Sequence, residues 1–175
     1  MIRYFYCPTC GRIHAGKLDG EITTTDDNLC FDIYCWYKCS CGSDAVEIDH
    51  GLLMIIQNIN KTKFKTRYCC EGHMYIQDSE KFYNNAYILF SQSVTMSMFN
   101  DIIGKHPLPQ GWTIELTDET DEPDIQNCIC IRYTNIDDDY GKLSENEFEI
   151  KKKFYLMELN RWVNNVLAEE SDIIE

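Results

Sequence analysis

An α+β fold is what this sequence predicts: a small cysteine-rich N-terminal unit, then a mixed or antiparallel four-stranded sheet with packed helices. Three observations carry the prediction. Cysteine pairs trailed by glycine, Cys7-Pro8-Thr9-Cys10-Gly11 and Cys39-Ser40-Cys41-Gly42, fall among short, turn-rich segments. Residues 61–68 and 127–134 alternate with period two, the side-chain period of a strand. A stripe at helical spacing runs from Phe148 to Val166. The boundary is drawn near Val46, which gives a 1–45 unit and a 46–175 α+β domain.

The elements follow in order. Residues 48–59 read as a helix, with Leu52, Ile55, Ile56 and Ile59 at 3.6-type spacing and Asp49 placed as its cap. In 61–68, Lys61, Lys63, Lys65 and Arg67 fall on one strand face and Thr62, Phe64, Thr66 and Tyr68 on the other. The Cys69–His73 segment follows as a turn or loop. Residues 85–91 form a second strand and 96–104 a short helix, after which Pro107 and Pro109 break the chain. Residues 112–116 form a third strand. In the fourth, 127–134, Ile129, Ile131 and Tyr133 alternate against Cys128, Cys130 and Arg132. The acidic stretch 117–124 between them is a surface loop. Ser144 and Glu147 make a Ser-x-x-Glu capping box. Phe148, Tyr155, Leu159, Trp162, Val163 and Val166 then line one face of the last helix. The order α-β-β-α-β-β-α after the boundary places helices against a sheet.

Composition bounds the function. Of 175 residues, 44% are hydrophobic and 13% aromatic, enough to build a core without disulfides. Residues 1–70 carry eight basic and eight acidic side chains; residues 71–175 carry eight and twenty-one, so the net charge of −13 lies wholly in the second part. That excess disfavours broad binding to nucleic acid or anionic membrane and leaves room for a local basic contact. Its ordinary role is solubility. The first residues hold no apolar run long enough for a signal peptide, and Leu52–Ile56, the longest such run, is far short of the ~20 residues that span a bilayer. The expected location is cytoplasmic, with no membrane partner. There, the ten cysteines are reduced, and close pairs point to metal ligands or redox chemistry.

Cys7-x2-Cys10-Gly lets two thiolates address one ion, and the glycine permits the tight turn around it. Cys39 and Cys41, with Gly42, are the second pair, separated from Cys10 by a gap of 28 residues. The spacing predicts a zinc ribbon whose four thiolates, Cys7, Cys10, Cys39 and Cys41, close the shell of a structural zinc. The second pair is Cys-x-Cys instead of Cys-x2-Cys, so Cys35, Cys30 and His14 stand as alternatives for the fourth ligand. The competing reading of Cys7 and Cys10 is a redox dithiol, for which Pro8 would support a helix start.

Thr66-Arg67-Tyr68-Cys69-Cys70-Glu71-Gly72-His73 is the other chemical concentration. Cys69, Cys70 and His73 are candidate catalytic residues, as a nucleophile–base pair. They are equally candidates for a second metal with Cys128 and Cys130. Gly72 would let backbone amides approach an anion, and Lys63, Lys65 and Arg67 would draw one in. The bland alternatives are core cysteines, a solvated histidine and a lysine-protected sheet edge.

These motifs carry a resemblance. The Cys7-Pro-x-Cys10-Gly knuckle, the apolar helix after an acidic "EID", and the lysine-rich strand ending in TxxCCxGH resemble a family of uncharacterised proteins from Gram-positive bacteria and their phages. The resemblance spans roughly residues 3–91 and is carried by Cys7, Cys10, Thr66, Cys70, Gly72 and His73. It implies a shared fold and motif and no particular reaction. More distantly, the helix–strand–(S/C)-C-x-G–strand arrangement is similar to tRNA wybutosine-synthesis methyltransferases, with Cys69 in place of serine and His73 in place of arginine.

Three functions compete. The first is a zinc-binding module with a ligand or partner site around Cys69–His73, meeting a protein or a localised stretch of nucleic acid; the acidic half favours a basic protein. The second is an enzyme acting on an anionic ligand, RNA or a nucleotide, through Cys70 and His73. Neither G-x-G-x-x-G nor G-x4-G-K-[ST] occurs, which counts against nucleotide hydrolysis and dinucleotide redox work. The third is a nucleic-acid mimic built on the acids between Asp118 and Asp124 and between Asp137 and Asp139.

Overall fold

A computed structural model describes residues 3–16, 37–78, 80–117, 126–134 and 142–171. Within them the fold is α+β, with antiparallel pairing throughout. β1 (Arg3–Tyr6), β2 (Ile13–Gly16), β3 (Tyr37–Lys38) and β4 (Asp44–Ile48) make a sheet in the order β2-β1-β4-β3. A 3-10 turn, His50–Leu52, leads into α1 (Leu53–Ile59). β5 (Thr66–Cys70), β8 (Tyr87–Phe90), β10 (Ile129–Tyr133) and β9 (Trp112–Leu116) form a second sheet in the order β5-β8-β10-β9. Between β5 and β8 lies a separate hairpin of β6 (His73–Gln77) and β7 (Glu80–Asn84). α2 (Met96–Lys105) and α3 (Glu145–Ser171) complete the order.

The core lies where α1 and α3 cover one face of the β5-β8-β10-β9 sheet. Leu52, Ile55, Ile56 and Ile59 meet Leu156, Leu159, Trp162, Val163 and Val166 over Ile88, Phe90, Ile129 and Ile131, all buried. Phe99 from α2 closes one end, edge-on to Phe64 and Phe90. Tyr6 and Ile48, from the N-terminal sheet, belong to the same buried cluster.

The expected α-β-β-α-β-β-α order is present, with the β6–β7 hairpin added. Three local expectations change. Residues 48–59 are not one helix: Ile48 ends β4, pairing with Tyr4, and the α-helix begins only at Leu53. Asp49 stands at the cap position of the 3-10 turn but makes no side-chain cap bond, because its carboxylate is turned to tertiary partners. The 61–68 alternation governs burial as far as Thr66, with Thr62, Phe64 and Thr66 buried, but Tyr68 is exposed, past a register shift in the ladder between Thr66 and Tyr68. The ladder, however, starts only at Thr66, since Thr62 is still bonded to the last turn of α1 through Ile59 O. The capping box forms as read: the Ser144 backbone N–H donates to Glu147 Oε2 at 2.8 Å and the Glu147 N–H to Ser144 Oγ at 3.3 Å.

Candidate metal centre

Two β-hairpins bring the N-terminal cysteines together. The first turns between β1 and β2, where Gly11 N–H bonds Cys7 O and Cys7 N–H bonds Arg12 O, both at 2.9 Å. The second turns between β3 and β4, where Gly42 N–H bonds Cys39 O and Cys39 N–H bonds Ser43 O, again at 2.9 Å. Gly11 and Gly42 sit at φ +73° and +90°, which a side chain resists. The residue missing from Cys-x-Cys is therefore taken out of the turn: glycine comes four positions after Cys7 but three after Cys39. The thiol positions survive that shortening.

All four sulfurs lie within 4.8 Å of one another. Cys7 Sγ is 3.5 Å from Cys41 Sγ, and Cys10 Sγ is 3.5 Å from Cys39 Sγ. These spacings are far longer than a disulfide bond. They approach the edge of a tetrahedron, about 3.8 Å for sulfurs about 2.3 Å from a common ion. Cys7 and Cys39 are buried, Cys10 and Cys41 exposed. His14 Nε2 lies 3.2 Å from Cys39 Sγ, on the flank of the cluster. Cys30 and Cys35 fall outside the described residues.

Without a cation, the thiols of Cys10 and Cys41 are pushed in opposite directions. The Ser43 backbone N–H and hydroxyl, with Cys7, bring Cys41 down to about 6. The Arg12 N–H pulls Cys10 the same way, but desolvation and the neighbouring sulfurs of Cys39, Cys7 and Cys41 push it up to about 11. A divalent ion resolves that conflict by allowing all four to ionise. The cluster could therefore hold a metal ion and fits a small zinc-binding knuckle.

A second cluster forms where β5 ends and β6 begins. Asp49, from the link after β4, meets Cys70 and His73 with one donor atom of each within 4.8 Å of the others. His73 Nε2 is 3.2 Å from Asp49 Oδ2, and the Glu71 N–H donates to the same oxygen at 2.9 Å. The Gly72 N–H points at Cys70 Sγ, 3.4 Å away. The hydrogen bond to Asp49, then that to Cys70, raises His73 to about 10. Burial alone would lift Asp49, but His73 and the Glu71 N–H hold it below its ordinary value.

Glu71 fastens this corner from every side. Its carboxylate accepts from the Gly51 N–H at 2.7 Å and from Lys152 Nζ at 3.0 Å, and its carbonyl accepts from Tyr155 Oη at 2.7 Å. Gly72 turns the chain out of one sheet and into the hairpin at φ +85°. A Cβ there would stand 2.7 Å from Tyr155 Oη and 3.0 Å from Asn84 O.

The remaining candidates separate. Cys69 and Cys70 alternate across β5. Cys69 packs against the core, and burial, then the Asp49 charge, pushes its thiol far up. Cys128 and Cys130 pack with Leu89, and β8 lies between them and β5. Two strand spacings, about 10 Å, keep them from sharing an ion with Cys70. Lys65 Nζ bonds Asn60 O at the C-terminal end of α1, and Lys63 lies over the Phe64 ring. Both lie before the Thr66 end of β5, whereas Cys70 stands at its other end, about 13 Å along the strand from Thr66. Arg67 stacks on Tyr68, midway. The sequence places Asp49 as a cap, Glu71 in the Cys69–His73 motif and Tyr155 in the helical stripe, and gives none of them, nor Lys152, this role at the corner. Lys152 had a signal, a charge inside the Phe148–Tyr155 stripe. An apolar cavity of about 20 Å³ between Ile59, Phe99 and Trp162 is a packing defect away from both clusters.

Among the described residues no helix is long and apolar enough to cross a membrane. No protein-family model, curated protein or solved structure matches the chain.

Proposed function

We propose that this chain is a zinc-binding module, in which one structural Zn²⁺ on Cys7, Cys10, Cys39 and Cys41 organises the N-terminal sheet and a ligand or partner binds around Cys70–His73. The four-sulfur cluster carries the reading. Four thiolates fill a tetrahedral shell and leave no position for water, so the ion holds structure instead of performing chemistry. The ion also has a mechanical link to the second cluster. It clamps the turn from which β4 departs, β4 pairs with β1 as far as Ile48, and the next residue is Asp49.

Around His73 the surface suits contact. Tyr75, two residues along β6, stacks on Phe82 of β7 at 5.5 Å, and both rings are more than a third exposed. The net charge of −13 favours a basic protein partner over nucleic acid. Eight free thiols among the described residues fit a reducing, cytoplasmic setting. A second reading, an enzyme acting on an anionic ligand through Cys70 and His73, draws on Asp49, which orients His73 as an acid orients a catalytic base. Lys63 and Lys65 do not serve that reading, since neither reaches His73.

Metal content of untagged protein, purified without chelator, tests the proposal. Zinc is expected in the wild type, with one equivalent lost in Cys7→Ser/Cys10→Ser. Equal zinc in the two proteins, or none in either, would remove the basis of the reading.

A further inference from the structure

We infer that Asp49, Cys70 and His73 form a second, open divalent-metal site, distinct from the four-cysteine cluster. The inference rests on the reading that a ligand site lies around Cys70–His73, and it names the first ligand as a borderline-soft ion such as Zn²⁺.

The donor set is a carboxylate, a thiolate and an imidazole, gathered within 4.8 Å. Such a mixed set suits zinc and its neighbours better than calcium or magnesium, which take oxygen. The 3.2 Å between His73 Nε2 and Asp49 Oδ2 is close to the tetrahedral edge, about 3.3 Å, for nitrogen and oxygen each about 2.0–2.1 Å from one ion.

A second observation is independent of that spacing. Cys70 Sγ receives the backbone N–H two residues on, from Gly72. Gly72, at φ +85°, makes the turn that aims this N–H, as Gly11 and Gly42, also at positive φ, make the turns beside Cys10 and Cys41. An N–H aimed at sulfur supports the thiolate that a metal requires. A plain Asp49–His73 ion pair does not need the sulfur.

Among the described residues, no further protein ligand is grouped with these three. Glu71 is the adjacent carboxylate, but its oxygens are taken by Gly51 N–H and Lys152. The Glu71 N–H instead steadies Asp49 from behind. The His73 side chain is 47% exposed, so the open position faces solvent and takes water or a donor atom of an incoming ligand.

Calorimetric titration of metal-stripped, reduced protein with Zn²⁺ alone tests this. Two binding events are expected, a tight one and a weaker one. Cys70→Ser and His73→Gln, which touch no residue of the four-cysteine cluster, should each weaken the second event at least tenfold and leave the first unchanged. One event in the wild type, untouched by either variant, would overturn the second site and leave the ribbon standing. One event lost in both variants but retained in Cys7→Ser/Cys10→Ser would overturn the ribbon and keep this site. A second event of unchanged affinity in both variants, or no event in the wild type, would also overturn the inference.

Discussion

Replacing Lys152 by methionine keeps most of the side-chain volume and removes its charge. The side chain is 9% exposed, with Nζ 3.0 Å from Glu71 Oε1 and 2.7 Å from Glu149 Oε1. Glu71 is 15% exposed, and after the substitution its carboxylate keeps one protein donor, the Gly51 N–H. Glu149 is 42% exposed and is rehydrated at little cost. Removing one member of a buried pair costs roughly 3–5 kcal/mol, and the exposed second partner argues for the lower end, about 3 kcal/mol. In a chain of this length each kcal/mol moves Tm by about 2–4 °C, so the drop should be about 6–12 °C. Urea unfolding at fixed metal loading reads the free energy directly. Glu71→Gln removes the stranded charge while keeping an acceptor for Gly51. The double variant should therefore recover at least about 1 kcal/mol over the sum of the singles. A loss under about 1 kcal/mol in Lys152→Met, or additivity within about 0.5 kcal/mol, would refute the claim that Lys152 and Glu71 hold the corner as a pair.

Two further outcomes follow from local geometry. Gly72→Ala should cost about 2–3 kcal/mol, from a left-handed backbone and the displaced Tyr155–Glu71 hydrogen bond, whereas Gly11→Ala, whose Cβ meets nothing within 4 Å, should cost only the backbone share of about 1–2 kcal/mol; equal losses in denaturant melts would contradict the clash. The Ser144 hydroxyl, then its N–H, holds Glu147 below the ordinary glutamate value, so this contribution is present above the unfolded pKa and fades as pH falls through the folded one. Ser144→Ala should cost about 1 kcal/mol at neutral pH and less in acid, read by melts across the carboxylate range.

The parts of the fold legible in the sequence are those whose signal is local. The α3 stripe and its capping box, the short helix α2, and strands β8, β9 and β10 follow from periodicity and turn residues. The β6–β7 hairpin gave no such signal. Nearly all of β7 is exposed, so no apolar alternation marks it, and its turn uses Asp78 at φ +50° in place of an Asn-Gly or Asp-Gly pair. The helix read over 48–59 failed at its start because Ile48 is as apolar as the residues after it. A partner strand, invisible in a local window, decides where β4 ends.

The candidate sites divide the same way. Cys-x2-Cys-Gly and Cys-x-Cys-Gly announce their own turns, so the four thiols could be named from spacing. The second cluster needs Asp49, twenty-one residues before Cys70, and is fastened by Lys152, about eighty after it. No spacing rule reaches that far. Lys63 and Lys65 show the converse: the period-two pattern holds as far as Thr66, but it sets them before the start of β5, at the opposite end from Cys70.

Zinc-edge X-ray absorption on the His73→Gln protein, loaded with one equivalent of Zn²⁺, reads the metal's ligands directly. Four sulfur scatterers at about 2.3 Å are expected, with no nitrogen or oxygen in the first shell. A shell with one or more ligands at about 2.0–2.1 Å would contradict the four-cysteine site, giving a place on the metal to His14 or another donor in place of one of Cys7, Cys10, Cys39 and Cys41.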